Sequence, residues 1–235
     1  MRHQLFAWLA LPVALALSGC SITGGGRVNI EELRAKAEAG DPAAQFQLGQ
    51  AYDNGGPAPR DLSQAASWYR KAAGQGYAAA QNSLGSMYQH GEGVPLDNAE
   101  AVQWYQKAAD QGFVEAYTNL GYMYDFGLGV QQDKQKAFEL YQQGAKKGSL
   151  NGMLDLGLCY WNGEGVAKDI IQAYWWLDNA RFHTQFSPNM TLKWRIRGAL
   201  DGVASEMTKE DMDAAVKLGA ATPLRWKPAA PRTGP

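Results

Sequence analysis

The stretch Tyr77–Gly112, YAAAQNSLGSMYQHGEGVPLDNAEAVQWYQKAADQG, decides the fold of this chain. Sliding it by its own length of 36 residues lands on a similar segment in both directions. The similar segments are 41–76, 113–148 and 149–184, and the last of them loses the pattern after Ala180. Self-similarity at a fixed period of this size is typical of repeat proteins, in which each unit buries its apolar face on its neighbours.

Each copy predicts two helices joined by a glycine turn. In the copy at 41–76, Ala44, Leu48, Ala51 and Tyr52 fall on one face of the first helix. The following turns read G-x-G-V at Gly91–Val94, Gly127–Val130 and Gly163–Val166, whereas the first copy has Gly55-Gly56-Pro57. A phosphate-binding loop is disfavoured, because no strand signal precedes these turns and no Gly-Lys-Ser/Thr follows. Glycines with positive φ at a helix end are the favoured interpretation.

Aspartates and aromatic residues mark the second helix of each copy. Asp61, Asp97, Asp133 and Asp169 recur one period apart, and we interpret them as helix N-caps rather than metal ligands. Apolar residues recur at helical spacing and are predicted to be core: Ala65, Trp68, Tyr69 and Ala72, then Ala101, Trp104, Tyr105 and Ala108. Helices this short are marginal alone in water, so stacking on neighbours must stabilise them.

A glycine follows the central leucine of every first helix, at Gly49, Gly85, Gly121 and Gly157. Glycine inside a helix costs about 1 kcal/mol relative to alanine. Its recurrence at one register position predicts that a neighbouring backbone packs too close for a side chain.

The shared pattern A-x-x-x-L-G-x-x-Y-x-x-G-x-G-V-x-x-D-x-x-x-A-x-x-W-Y-x-x-A-A-x-x-G resembles the Sel-one-like repeat, a relative of the tetratricopeptide repeat. The resemblance implies an all-α fold: a right-handed α-solenoid of helix-turn-helix units whose first helices line a concave surface. It also implies an adaptor or assembly scaffold without a general catalytic site. The array is predicted to span 30–184 with an opening half repeat at 30–40, followed by a helical cap at 185–227 and a disordered tail at 228–235.

The amino terminus, MRHQLFAWLALPVALALSGC, predicts secretion. Arg2 provides a positive start, and an uncharged, mostly apolar run extends from Leu5 to Leu17. This run is shorter than the ~20 residues that a membrane-spanning helix needs. Residues 1–19 are therefore predicted to be a cleaved signal peptide.

The end of that run, Leu17-Ser18-Gly19-Cys20, resembles the lipobox of bacterial lipoproteins. The resemblance implies cleavage before Cys20 and lipidation of Cys20, with residues 20–29 as a flexible tether. Because Ser21 stands where an aspartate would resemble an inner-membrane retention signal, it implies the outer membrane of a Gram-negative cell, facing the periplasm. An ordinary signal peptide with a chance cysteine is the alternative.

The residues that vary between copies identify the face of the first helices that is left for a partner. They are Phe46, Gln50, Asp53, Asn82, Ser86, Gln89, Thr118, Tyr122, Asp125, Leu154, Leu158 and Trp161. This row changes from polar to aromatic and apolar along the chain. Tyr122, Asp125, Phe126, Leu158 and Trp161 are therefore predicted to form a groove for a helix or an extended peptide of a partner. The alternative is that the cap covers Leu158 and Trp161.

Three function classes are considered. The favoured one is a periplasmic scaffold that holds an envelope protein or peptide at the outer membrane. A narrower version is an immunity or inhibitor lipoprotein that blocks a toxic enzyme, as some members of the resembled family do. An envelope hydrolase is disfavoured, because His90 and His183 lie in no nucleophile or metal motif, and nothing singles out Asp125 and Glu164 as an acid pair.

The composition gives little indication of further ligands or partners. The net charge of -1 gives no reason to expect nucleic acid. No cofactor and no metal are predicted. Cys159 occupies an apolar position of a first helix and is predicted to be a buried small hydrophobe rather than a reactive thiol.

Overall fold

The computed structural model describes residues 29–221 with the exception of 57 and 186. The predicted signal peptide, Cys20, the tether up to residue 28 and the predicted tail lie outside the described residues. Eleven helices fill the described part: α1 (Ile30–Glu38), α2 (Pro42–Asn54), α3 (Leu62–Gly74), α4 (Ala78–His90), α5 (Asn98–Asp110), α6 (Val114–Phe126), α7 (Lys134–Lys146), α8 (Leu150–Asn162), α9 (Ile170–Thr184), α10 (Met190–Glu206) and α11 (Lys209–Ala221).

The helices stack in chain order as two-helix units. Within units, α2 packs on α3, α4 on α5, α6 on α7 and α8 on α9. Consecutive units meet where α3 contacts α4, α5 contacts α6 and α7 contacts α8, while α1 packs on α2 as an opening half unit. The central leucine of each first helix is fully buried, at Leu48, Leu84, Leu120 and Leu156. The predicted all-α solenoid is confirmed.

Aspartate side chains begin the second helices, as the sequence predicts. The carboxylate of Asp97 accepts hydrogen bonds from the N–H groups of Ala99 and Glu100, both at 3.0 Å. Asp169 caps α9 with two such bonds, whereas Asp61 and Asp133 cap α3 and α7 with one each. Each cap satisfies backbone donors that the first turn of a helix leaves unpaired, which stabilises a helix by about 1 kcal/mol.

The glycine turns end the first helices and dock on the preceding unit. Gly127 ends α6 with a φ of 66°, and Gly129 follows with a φ of 68°, so the predicted positive φ is confirmed. A Cβ on Gly129 would lie within 3.0 Å of the carbonyl group of Asn98 and the nitrogen of Ala99, at the start of α5. The same close approach occurs at Gly93 and Gly165. Backbone contact at this turn therefore joins one unit to the unit before it.

The glycines inside the first helices face a side chain of the second helix. A Cβ on Gly121 would lie 2.7 Å from Cε1 of Tyr141, whereas the carbonyl oxygen of Ala137 would be 3.4 Å away. Gly49 faces Tyr69, Gly85 faces Tyr105 and Gly157 faces Leu177. The prediction of a close backbone was wrong about the nearest neighbour, because a tyrosine ring, or Leu177 in the fourth unit, takes the space that a methyl group needs.

Two helices follow the fourth unit and pack on it. Asn189 caps α10, and its Oδ1 accepts a hydrogen bond from the N–H of Leu192 at 2.9 Å. At the start of α11, the Asp211 N–H donates to Oγ1 of Thr208 at 3.1 Å, and the Thr208 N–H donates to Oδ2 of Asp211 at 2.9 Å. The apolar face of α10 is buried in one cluster with α8 and α9, through Leu192, Ile196, Leu200 and Val203. These helices cover the end of the apolar core.

Candidate functional site

A groove opens on the side of the array that the first helices form. It is bounded by α4, α6 and α8, with α10 at one end, and has a volume of about 560 Å³. We call it the concave groove. Its lining includes Ser86, Gln89, His90, Asn119, Tyr122, Asp125, Phe126, Asn151, Asp155, Leu158, Cys159, Glu164 and Arg195.

Four of the five residues predicted for partner binding line the concave groove, namely Tyr122, Asp125, Phe126 and Leu158. Tyr122 and Phe126 lie one turn apart on α6, and their ring centroids are 4.6 Å apart. They remain 42% and 56% exposed, respectively. Large apolar side chains are normally buried, so this aromatic pair is a free apolar surface within the groove.

Trp161, the fifth predicted residue, packs against the C-terminal helices instead. Its Nε1 donates a hydrogen bond to Oε1 of Glu206 at 2.9 Å, and its ring lies over Gly202. Nζ of Lys168 donates to the other oxygen of Glu206 at 3.0 Å. The cap thus occupies Trp161 and leaves Leu158 half-buried at the groove wall. Of the two residues predicted to share one patch, Leu158 therefore lines the groove and Trp161 packs on the cap.

Tyrosines of the second helices hold polar side chains of the first helices in place. The hydroxyl of Tyr141 donates to Oδ2 of Asp125 at 3.3 Å. Tyr69 donates to Asp53 at 3.2 Å and Tyr105 donates to Gln89 at 2.7 Å in the equivalent places. The fourth unit has Leu177 at this register position, and leucine offers no donor. At the register position of Asp125, the fourth unit has Trp161, whose indole N–H donates to Glu206 of the cap.

One lysine lies between two carboxylates at the groove edge. Nζ of Lys134 is 2.6 Å from Oδ1 of Asp125 and 3.2 Å from Oε2 of Glu164. The hydrogen bond with Asp125 raises the pKa of Lys134, so the lysine is fully charged at neutral pH. Two acids that share one base leave the cluster with a net charge of -1.

A further carboxylate of the groove, that of Asp155, is poorly compensated. Its side chain is only 22% exposed, and Nη2 of Arg195 is 3.8 Å from its Oδ1. Burial raises the pKa of Asp155 to about 6; Arg195 opposes this rise, and Asp125 adds to it. Within the part of the chain that the structure describes, no hydrogen bond reaches the Asp155 carboxylate. The groove therefore contains a carboxylate that is costly to keep charged.

Only some of the variable residues line the groove. Leu154 is 1% exposed and belongs to the core shared with α9, and buried Thr118 is 2.9 Å from Oγ of Ser149, at hydrogen-bonding distance. Asp155 and Arg195 line the groove and were missed. The available signal was that Asn119 and Asp155 are polar and lie one period apart on successive first helices.

The thiol of Cys159 faces the groove but is buried. Burial, with smaller contributions from Asp125 and Asp155, raises its pKa to about 12. It is therefore protonated at neutral pH, and the prediction of a small buried hydrophobe is confirmed. Among the described residues, no three His, Cys, Asp or Glu side chains are grouped to hold a metal ion. None of the described helices is both long and apolar enough to cross a bilayer.

The stacked units and the groove define a class of protein, the α-solenoid interaction scaffold. The Sel1 repeat family model matches residues 42–77, 78–113, 114–149 and 150–180. The chain belongs to the Sel1 repeat family, and the predicted resemblance is confirmed. Sel1 repeat proteins bind protein partners and are in general non-catalytic.

Solved and curated relatives share the fold over different lengths. A Sel1 repeat protein from Oxalobacter formigenes is 31% identical with a TM-score of 0.69, over 86% of this chain and 78% of that chain. A protective antigen of uropathogenic Escherichia coli with an SLR fold is 43% identical with a TM-score of 0.64, over 67% of this chain and 34% of that chain. The secretory immunoglobulin A-binding protein EsiB of Escherichia coli O6:H1 is 42% identical over 72 residues, which are 31% of this chain and 12% of EsiB. This chain thus spans a minor part of the two Escherichia coli proteins.

Proposed function

We propose that this protein is an interaction scaffold that binds a segment of an envelope protein in the concave groove. The observation that carries the proposal is the aromatic pair Tyr122 and Phe126, which lies exposed in the groove beside half-buried Leu158. Aromatic side chains in a sheltered pocket are the groups that contribute most to protein–protein binding. A helix or an extended peptide that covers them would remove their apolar surface from water.

The groove wall is preorganised, because contacts within the protein already hold its polar side chains in place. Asp125 is held on one side by the Tyr141 hydroxyl and on the other by the Lys134 ammonium group. These side chains lose little further freedom on binding, which lowers the entropic cost of association. The same contacts occupy Asp125, and the Cys159 thiol is protonated. The groove is therefore proposed to bind a partner and not to catalyse a reaction.

Removing the aromatic pair is expected to abolish most of the binding. In the variant Tyr122→Ala/Phe126→Ala, we expect the amount of partner crosslinked to the protein in intact cells to fall by at least about tenfold, because the loss of one hot-spot aromatic, at about 2 kcal/mol, already weakens binding by about 30-fold. The matched control is Leu96→Ala/Val216→Ala, which removes two exposed apolar side chains outside the groove. Equal capture by both double variants would reject the groove as the binding site.

We further propose that the scaffold is anchored to the periplasmic face of the outer membrane through lipid on Cys20. The support is the sequence alone, in which Leu17-Ser18-Gly19-Cys20 follows a short apolar run. The Cys20→Ser variant is expected to leave the membrane fraction and appear in the soluble fraction, because the lipid provides the apolar anchor. Retention of Cys20→Ser in the outer-membrane fraction, at the level of the parent protein, would contradict the anchor.

The identity of the crosslinked protein also decides between the scaffold and the narrower immunity hypothesis. A toxic envelope enzyme, inhibited by the parent protein and released by Tyr122→Ala/Phe126→Ala, would favour an immunity lipoprotein. A structural or assembly protein of the envelope would favour the scaffold.

A further inference from the structure

We propose that the segment bound in the concave groove presents a lysine or arginine side chain next to an apolar side chain. This inference rests on the proposed function and specifies the chemistry of the partner. It follows from the charge balance of the groove, from the weak pairing of the Asp155 carboxylate and from the position of the aromatic pair.

The charged groups of the groove carry an excess of negative charge. The acids are Asp125, Asp155 and Glu164, and the bases that face them are Lys134 and Arg195. Lys134 divides its ammonium group between Asp125 and Glu164, so neither carboxylate has a cation of its own. A basic side chain of a partner would complete this balance, whereas an acidic segment would meet repulsion in a partly dehydrated site.

Asp155 is the carboxylate that gains most from such a partner. It is largely buried, and the guanidinium group of Arg195 reaches it only at 3.8 Å from an exposed position on α10. A buried carboxylate without hydrogen bonds is destabilised, and a cation placed against it relieves that penalty. The side chain of Arg195 is 57% exposed, so a competing cation can displace it towards solvent. The groove thus offers a basic side chain a carboxylate that is held by only one distant cation.

The aromatic pair supplies the neighbouring apolar contact. Tyr122 and Phe126 lie along the same groove wall as Asp125, and the ammonium group of Lys134 already lies 5.6 Å from the centre of the Phe126 ring. Lysine and arginine carry long apolar stems, which pack on aromatic faces while the charged end reaches a carboxylate. An apolar residue beside the basic one would cover the rest of the pair.

The test uses a phage-displayed library of random peptides, selected on the full chain. We expect the enriched peptides to contain lysine or arginine adjacent to an aliphatic or aromatic residue. A synthetic peptide of the enriched sequence is then measured by fluorescence anisotropy. Its affinity is expected to fall about tenfold for Asp155→Asn, in line with the coupling measured between close charge pairs. The control Asp213→Asn, which removes the same charge from an exposed position on α11, is expected to change the affinity by less than about twofold.

The outcomes separate this inference from the function on which it rests. Neutral or acidic peptides that depend on Tyr122 and Phe126 would overturn the basic partner and leave the groove as a binding site. Basic peptides that bind Asp155→Asn and Asp213→Asn equally would overturn the role of Asp155. Absence of any peptide that depends on the aromatic pair would overturn both the inference and the proposed groove.

Discussion

Replacing Gly129 with alanine is expected to lower the free energy of unfolding by about 3 kcal/mol or more. Two causes add. The φ of 68° is one that alanine adopts only at a cost of about 1 to 2 kcal/mol. The new methyl group would also collide with backbone atoms of Asn98 and Ala99 at the start of α5, so relief of the collision requires that the helix itself shift. The measurement is the midpoint of thermal or urea unfolding, followed by circular dichroism.

Gly198→Ala is the matched control, because Gly198 lies inside α10 with no atom within 4 Å of an added Cβ. Alanine there is expected to stabilise the helix by up to about 1 kcal/mol. This contrast contains both the positive-φ cost and the contact between the turn of one unit and the second helix of the preceding unit. Gly76→Ala isolates the contact, because Gly76 has a φ of 85° but no atom within 4 Å of an added Cβ. Equal stability of Gly129→Ala and Gly76→Ala would mean that this contact does not hold the units together.

The second large effect is a stability that depends on pH through Asp155. Its folded pKa of about 6 lies above the model-peptide value of 3.8. For a raised pKa, the folded state binds the extra proton, so the contribution to stability is complete below the unfolded pKa and is lost as pH rises through about 6. Asp155→Asn cannot ionise, so we expect it to be more stable than the parent protein near pH 7, by on the order of 2 kcal/mol.

Near pH 4 the two proteins are expected to have almost equal stability, because Asp155 is then protonated in the folded state. Urea unfolding at both pH values gives the comparison, and Asp213→Asn serves as the control for an exposed charge. An Asp155→Asn variant that is less stable near neutral pH would show that Arg195 compensates the carboxylate. A stable variant that binds the basic peptide poorly would instead show that the charge is retained for binding at the expense of stability.

The architecture was predictable because it repeats. A position such as Asp97 or Gly127 has equivalents one period away, so each local interpretation is tested several times within one chain. Helix pairs, N-caps and turn glycines all depend on such local chemistry. The recurring Gly121 was also visible, but its neighbour was not, since the contact with Tyr141 depends on how two helices are rotated against each other.

The groove was less predictable, because its features occur once. Trp161 lies in the variable row, yet the cap contacts it through Gly202 and Glu206, which belong to no repeat. Asp155 shares its helix with buried Leu154, one position away, and a small error in the assumed helix face exchanges the two. Arg195 enters the groove from α10, whose packing direction no periodic pattern encodes. That Tyr122 and Phe126 are exposed neighbours was predictable, because both lie one turn apart on α6.

The most direct test of the concave groove is site-specific photo-crosslinking in intact cells. A benzoylphenylalanine residue replaces Tyr122 in one strain and Glu139, which is exposed on α7 outside the groove, in another. We predict a discrete crosslinked product from position 122, none from position 139, and loss of the product when Phe126→Ala is added. The same product from both positions, or none from position 122 while the protein is folded, would contradict the proposal that this groove holds a partner.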